Sequence, residues 1–293
     1  MAQRLKVFQS LWAMEQRVPG APEDPPELWL DRIADAGFDG VCVDPAFDEI
    51  EATLTLQPLI EARGLGVMVN AFPATLEEMK PLLEMAKAMN AVFVNAIGQV
   101  MPLTVEEGVE VVERWRSDAV EVGVDLLFET HRDCTLNDLH YTLQLLDRLP
   151  DLRLCADLSH YVIDREMRLP LGAQDAASMI RILSHSDCFQ GRVSNGEQVQ
   201  VPLDFPQHAA WVSQFQTWWA EGLRGWRARS APDAELVFLC ELGPPPSAIT
   251  DAEQRELSDR WAEALTIRDW VMEAWEDCEP DDAQTGRVPD AVP

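Results

Sequence analysis

The chain alternates short apolar runs with longer amphipathic stretches, and it does so eight times. Each apolar run has the length of a β-strand, and the stretches between them carry apolar residues at helical spacing. This pattern predicts eight strands, each followed by a helical segment. The predicted strands are residues 5–10, 40–46, 65–71, 91–97, 124–130, 152–160, 188–194 and 235–242.

Helix-capping residues support this division of the chain. The segment PELWLDRIADAG ends in Gly37, and glycine is the residue expected just beyond a helix C-terminus. The segments TLEEMKPLLEMAKAM and TVEEGVEVVERWRSDAVEVG begin with Thr75 and Thr104, each followed by glutamates, as N-terminal capping favours. A last helix is predicted over residues 251–276, after the eighth strand.

The strand interiors are almost continuously apolar, which is typical of a parallel sheet covered by helices. Eight strand–helix units can close such a sheet on itself. The sequence therefore predicts an α/β fold, a single-domain (β/α)8 TIM barrel over residues 1–275. An open dinucleotide-binding sheet is disfavoured, because no GxGxxG turn follows the first strand. Residues 276–293 are acidic, and we expect them to form a disordered tail.

The net charge of the protein limits the classes of partner that it can be expected to bind. Lys and Arg total 23 against 51 Asp and Glu, a formal net charge of −28. Such a surface repels phosphodiester backbones and anionic membranes, so neither nucleic acid nor membrane is an expected partner. The sequence shows no secretory leader and no apolar run of membrane-spanning length, and its six cysteines have no CxxC spacing. A cytoplasmic protein without disulfides or a zinc cluster is expected.

Polar side chains follow the apolar runs on the side where each predicted strand ends. In a TIM barrel these ends meet at one mouth, where active sites form. Asn and Asp are common in strand-to-helix turns, so those after strands two to four are interpreted as turn-formers or caps. The others are candidates for chemistry. In chain order, the strand-end residues are Asp44, Asn70, Asn95, Glu129, His131, Asp157, His160, Gln190, Arg192 and Glu241.

Three of these residues, Glu129, Asp157 and Glu241, would bring three carboxylates to one barrel mouth. Like charges in a confined site are mutually unfavourable, and a divalent cation removes that repulsion. Carboxylate and amide oxygens favour a hard or borderline cation, so one Mg²⁺ or Mn²⁺ ion is predicted. Trp12, just beyond the first strand, is a candidate for packing against a sugar ring at the same mouth.

Four motifs occur in order at the ends of strands five to eight: FETHR, ADLSHY, GRVSNGEQVQVP and CELGPPP, with WW between the last two. Together they resemble the xylose isomerase-like TIM-barrel superfamily, specifically its sugar phosphate isomerase/epimerase members. The resemblance covers residues 124–246, and over the first half of the chain it is only a shared pattern. It implies one divalent metal ion held by one side chain from each of the last four strands.

By motif match, the resemblance assigns the metal ligands to Glu129, Asp157, Gln190 and Glu241. The family pattern generally has a histidine where this chain has Gln190, followed two residues later by a basic residue, here Arg192. Members similar to hydroxypyruvate isomerase use glutamine there, and its carbonyl oxygen is expected to keep the metal, with Co²⁺ and Zn²⁺ left open beside Mn²⁺ and Mg²⁺. The predicted substrate-binding residues are His131, Arg132, His160, Arg192 and, from its position at the mouth, Trp12.

The predicted chemistry is proton transfer next to a carbonyl. A cation polarises the carbonyl of a sugar or small hydroxy-carbonyl substrate, and Glu129 and Glu241 remove a proton and return it through an enediolate. The outcome is isomerisation or epimerisation. Proton removal can also expel a β-substituent, so a lyase or dehydratase, including cleavage of oxidised sugar conjugates, is the alternative.

Two further hypotheses use the same fold differently. A metal-dependent abasic-site endonuclease needs more histidines and a basic face, and five histidines with a net charge of −28 argue against it. A barrel that has lost its metal and serves as a binding or partner subunit stays open because of Gln190. The tryptophan-rich helices before and after the eighth strand fit a subunit interface, so a homo-oligomer also stays open.

Overall fold

The computed structural model describes residues 2–278, which contain eight β-strands and ten α-helices. The strands are β1 (Arg4–Ser10), β2 (Gly40–Val43), β3 (Gly66–Ala71), β4 (Val94–Ala96), β5 (Leu126–Glu129), β6 (Leu154–Ala156), β7 (Ser186–Gly191) and β8 (Glu235–Cys240). The helices are α1 (Pro26–Asp35), α2 (Ile50–Leu54), α3 (Gln57–Glu61), α4 (Met79–Ala88), α5 (Val105–Val122), α6 (Leu139–Arg148), α7 (Leu158–Asp164), α8 (Ala173–His185), α9 (Ala209–Arg229) and α10 (Arg260–Asp277).

The sheet closes on itself. Every strand pairs in parallel with its neighbours in the sequence, and β1 pairs with β8, where Phe8 stands opposite Leu239. The prediction of a (β/α)8 TIM barrel is therefore confirmed. Among the described residues, none of the helices is both long enough and apolar enough to pass through a membrane.

One apolar layer fills the interior of the barrel, and all eight strand regions contribute to it. It is separate from the larger core that lies between the sheet and the surrounding helices. Its members are almost completely buried, so they form a closed floor. The layer consists of Phe8, Cys42, Met68, Phe93, Leu127, Cys155, Cys188, Val237 and Leu239.

The next interior position along each strand is polar in all eight cases. Side chains alternate between the two faces of a strand, so a residue two positions beyond the apolar layer faces the interior again. These positions lie at the C-terminal ends of the strands and form what we call the polar layer. All of its members except the half-buried Asp44 are buried. The polar layer consists of Ser10, Asp44, Asn70, Asn95, Glu129, Asp157, Gln190 and Glu241.

The predicted boundaries of β6 and α10 are wrong. Strand β6 ends at Ala156, because Asp157 caps helix α7 by accepting a hydrogen bond from the Ser159 backbone N–H. His160 therefore lies in the first turn of a helix and not on a strand. Helix α10 begins at Arg260 rather than at residue 251, because the preceding segment is held in a turn by a bridge between residues 250 and 256.

The capping predictions have mixed outcomes. Thr104 caps α5 and forms a capping box with Glu107, as predicted. Thr75 is not a cap, because α4 begins only at Met79. Of the predicted tail over residues 276–293, residues 279–293 lie outside the described residues, and α10 itself continues through Asp277.

Candidate active site

Three carboxylates meet at the mouth of the barrel. One oxygen each of Glu129, Asp157 and Glu241 lies within 4.8 Å of the other two. Glu129 is the last residue of β5, Asp157 follows β6 as the cap of α7, and Glu241 follows β8. The three side chains are 2%, 0% and 5% exposed, so water screens their mutual repulsion poorly.

Gln190 joins this group through Glu129. Its Nε2 donates a hydrogen bond of 2.7 Å to Glu129 Oε2, and the same oxygen accepts a second bond from Asn95 Nδ2. The amide oxygen of Gln190 is left without a partner in the described chain. The glutamine that stands in place of the expected histidine thus offers a free oxygen donor beside the three carboxylates.

Unpartnered oxygens collect in this one region. Buried acceptors are normally hydrogen-bonded, so each exception calls for a missing donor or cation. Nine buried side-chain polar atoms lack a partner within residues 2–278, and five of them are oxygens of the polar layer. These five are Asp44 Oδ2, Asn95 Oδ1, Glu129 Oε1, Gln190 Oε1 and Glu241 Oε2.

The pKa values of the two glutamates also indicate that positive charge is lacking at this site. Burial raises the pKa of Glu129 well above its usual value, and the neighbouring Glu241 and Asp157 raise it further. Burial also raises the pKa of Glu241 to about 8, against the opposing effect of the Arg192 guanidinium. Keeping these buried carboxylates ionised is unfavourable in free energy, because they are desolvated and repel one another. A divalent cation between them would offset that unfavourable free energy.

Asp157 is bound more fully than the two glutamates. Its Oδ1 accepts hydrogen bonds from the backbone N–H and the hydroxyl of Ser159, at 2.9 and 2.6 Å. Its Oδ2 forms an ion pair with the buried guanidinium of Arg192. Burial opposes the charge of Arg192, but Asp157 and Glu241 outweigh it and raise the pKa of Arg192. Asp157 therefore shares its charge with a side chain predicted to bind substrate.

Two neutral imidazoles lie beside this ion pair. The rings of His131 and His160 are 3.7 Å apart at their centroids. Burial, followed by the charge of Arg192, lowers the pKa of His131 to about 4, and burial followed by His131 lowers the pKa of His160 well below its usual value. His160 Nε2 contacts Arg192 at 2.9 Å, and its Nδ1 contacts Arg132 at 3.1 Å. Arg132 thus reaches the site through His160.

A cavity of about 400 Å³ lies at the mouth of the barrel, and of the three converging carboxylates it is Glu241 that lines it. Trp12, His131, Arg192 and Glu241 line it, together with the half-buried Asp44. The Trp12 ring lies against Gly243, where any side chain would overlap it. Arg132 and His160 are not among the residues that line this cavity. Of the residues predicted to bind substrate, three therefore face the open space and two lie behind them.

The asparagines of β3 and β4 are not the turn-formers or caps that the sequence suggested. Asn70 and Asn95 lie within strands, are completely buried, and are hydrogen-bonded to each other. Their spacing from the apolar residues before them could have predicted this interior position. Each stands two residues beyond an apolar side chain of the barrel floor, Met68 and Phe93, and so faces the interior.

No protein-family model matches the sequence, and no curated protein matches it. Solved structures do share the fold. A xylose isomerase-like TIM barrel protein from Mycobacterium smegmatis, in complex with magnesium, has a TM-score of 0.58 and 13% sequence identity, with 92% of this chain and 97% of that chain covered. For an L-ribulose 3-epimerase the TM-score is 0.59 and the identity 16%, with 95% and 96% covered.

A third similar structure belongs to a different type of enzyme. It is a probable 3-DHS dehydratase from Bacillus anthracis, with a TM-score of 0.51, 14% identity, and 80% of this chain and 92% of that chain covered. At these identities the likeness concerns the fold. The chain shares the TIM-barrel fold of these xylose isomerase-like and epimerase structures.

Proposed function

We propose that this protein is a divalent-metal-dependent isomerase or epimerase that acts on a sugar or a small hydroxy-carbonyl compound. The observation that carries the proposal is the convergence of Glu129, Asp157 and Glu241, which are buried with one oxygen each within 4.8 Å of the others, and Glu241 lines the cavity at the mouth. Several of the oxygens there are buried and have no hydrogen-bond partner in residues 2–278. The fold shared with an L-ribulose 3-epimerase is consistent with this proposal.

The residues present fit a hard or borderline cation. Glu129, Asp157, Gln190 and Glu241 would hold it, because all four are oxygen donors, and Mg²⁺ and Mn²⁺ prefer such ligands. Among the described residues, no thiol belongs to this group of carboxylates. Bound there, the cation would polarise a substrate carbonyl and so acidify the neighbouring C–H.

Glu241 is the better placed of the two glutamates to exchange a proton with a substrate. It lines the mouth cavity, and its Oε2 has no hydrogen-bond partner within the part of the chain that the structure describes. Glu129 lies deeper, and its Oε2 is held by Asn95 and Gln190. In the proposed reaction, Glu241 takes a proton at a carboxylate oxygen and Glu129 serves the opposite side of the substrate.

The remaining groups of the cavity would orient the substrate. Trp12 offers an aromatic face for the apolar side of a sugar ring. His131 is neutral and can exchange hydrogen bonds with hydroxyl groups, while Arg192 offers guanidinium N–H donors to oxygens that gain charge. His160 and Arg132 would act from behind by fixing the positions of His131 and Arg192.

Exchange of a substrate C–H with deuterated water tests the proposal. A panel of unphosphorylated and phosphorylated ketoses is incubated with Mn²⁺-loaded protein, and loss of the proton next to the carbonyl is followed by ¹H NMR. The wild type is expected to exchange at least one of them, and Glu241→Gln to slow that exchange by roughly 10²–10⁴-fold. Glu235→Gln, at the opposite end of the barrel, is the matched control.

Two outcomes would change the assignment. Exchange retained at the wild-type rate in both Glu129→Gln and Glu241→Gln would rule out the two-glutamate scheme. Exchange accompanied by loss of a β-substituent would assign the protein to the lyases or dehydratases, the reaction class of the Bacillus anthracis structure. Both reaction classes begin with the same proton removal, so one spectrum distinguishes them.

Substituting histidine for Gln190 should change the metal preference of the site. An amide oxygen favours Mg²⁺ and Mn²⁺, whereas an imidazole favours Zn²⁺ and Co²⁺. We expect Gln190→His to raise the affinity for Zn²⁺ relative to Mg²⁺ by about tenfold or more, measured by isothermal titration calorimetry. Gln144→His, on the exposed surface of α6, controls for adventitious binding by the new imidazole. An unchanged ratio would mean that residue 190 is not a ligand.

A further inference from the structure

Asn95 is a completely buried amide in the middle of β4, and the hydrogen bonds of its side chain to described residues lie inside the polar layer. Its Nδ2 donates to Asn70 Oδ1 at 2.8 Å and also to Glu129 Oε2. Both N–H bonds of the amide are thereby used. Burial of an amide costs free energy wherever a polar atom lacks a hydrogen bond, and Asn95 Oδ1 has no partner among the described residues, so an amide at this interior position needs an explanation.

The orientation of Asn95 is set by a chain of hydrogen bonds that begins at Asp44. An ionised carboxylate can only accept, so Asn70 turns its Nδ2 toward Asp44 Oδ1, at 2.7 Å. The side-chain oxygen of Asn70 then faces Asn95 and accepts a hydrogen bond from its Nδ2–H. The same amide meets the carboxylate of Glu129 with its second N–H. Each amide in the chain has one favourable orientation, and none can flip alone.

This chain decides which oxygen of Glu129 is free. Oε2 accepts from both Asn95 and Gln190, whereas Oε1 is buried and has no partner among the described residues. We propose that Asn95 is a positioning residue that holds Glu129 with Oε1 as the oxygen presented to a divalent cation. The proposal rests on the metal site proposed above and adds to it a residue outside the four ligands.

The affinity for Mn²⁺ in metal-free protein tests this role without a substrate. Asn95→Leu keeps the size of the side chain and removes both donors, so Glu129 can rotate. We expect Asn95→Leu to weaken Mn²⁺ binding by about 10–100-fold, as loss of a partner behind a ligand typically does. Ser186→Ala removes another completely buried polar group, at the opposite end of the barrel, and should leave the affinity unchanged. Unfolding in urea, measured on both variants, separates stability from affinity.

Asn70→Leu provides a second test if Asn95→Leu does not fold. It removes the acceptor that orients Asn95. We expect Asn70→Leu to weaken Mn²⁺ binding as well, but by less than Asn95→Leu does. Wild-type affinity in the folded leucine variant would overturn the positioning role and leave the metal site intact. Failure of the wild type itself to bind Mn²⁺ would instead overturn the metal site, and the positioning role with it.

Discussion

Replacing Asp157 by alanine is expected to lower the free energy of unfolding by about 3–5 kcal/mol, the usual cost of removing one partner of a buried ion pair. Arg192 is 3% exposed, and Asp157 is its ion-pair partner. Without that carboxylate the guanidinium stays buried with too little negative charge around it. Loss of the cap on α7 adds about 1 kcal/mol. Urea unfolding followed by circular dichroism measures the sum.

A double variant separates the charge from the cap. Asp157→Ala combined with Arg192→Met removes both members of the ion pair, so only the capping loss should remain. Asp187→Ala is the matched control, because Asp187 pairs with Arg229 and Arg153 at a partly exposed position, where such pairs contribute about 0–1 kcal/mol. If Asp157→Ala cost no more than Asp187→Ala, the buried ion pair would not carry the stability assigned to it.

Glu129→Gln is expected to have opposite effects on metal binding and on stability. The substitution removes a charge that metal binding would need, and we expect Mn²⁺ affinity to fall by more than about 100-fold, beyond the loss typical of an outer partner. The metal-free protein should become more stable, because a neutral amide no longer opposes the buried carboxylates of Glu241 and Asp157. Calorimetric titration and urea unfolding in a chelator measure the two effects.

The control for Glu129→Gln is a second buried glutamate. Glu263 on α10 is 8% exposed and accepts a hydrogen bond from the backbone N–H of Leu203, outside the polar layer. Glu263→Gln should leave Mn²⁺ affinity unchanged. A Glu129→Gln variant that binds Mn²⁺ like the wild type and gains no stability would show that the three carboxylates neither repel one another nor bind a common cation.

The sequence predicted the barrel and most of the polar residues at its mouth, because both depend on local patterns. Eight apolar runs, each followed by an amphipathic stretch, are sufficient to predict the closed sheet. Polar residues two positions beyond the floor residues then have to meet at the mouth, since a strand returns to the same face after two residues. Glu129, Gln190 and Glu241 follow this rule, and the sequence identified them as polar residues at strand ends.

The features that the sequence did not predict depend on partners distant in the chain. Asparagine is common in turns, so Asn70 and Asn95 were not predicted to lie in the interior. The closure of the barrel brings them into contact with each other and brings Asn95 into contact with Glu129. The pairing of Asp157 with Arg192 joins the region after β6 to the end of β7. Apolar residues continue from β6 into α7. The apolar pattern therefore could not show that the strand ends before Asp157, or that Asp157 caps a helix.

Anomalous diffraction from crystals grown with Mn²⁺ tests the central claim most directly, because it locates the ion without any assumption about the substrate. The account predicts one strong peak at the mouth of the barrel, within coordinating distance of oxygens from Glu129, Asp157, Gln190 and Glu241. No peak among these four residues, with Asp157 still paired to Arg192 and Mn²⁺ bound elsewhere or not at all, would contradict it.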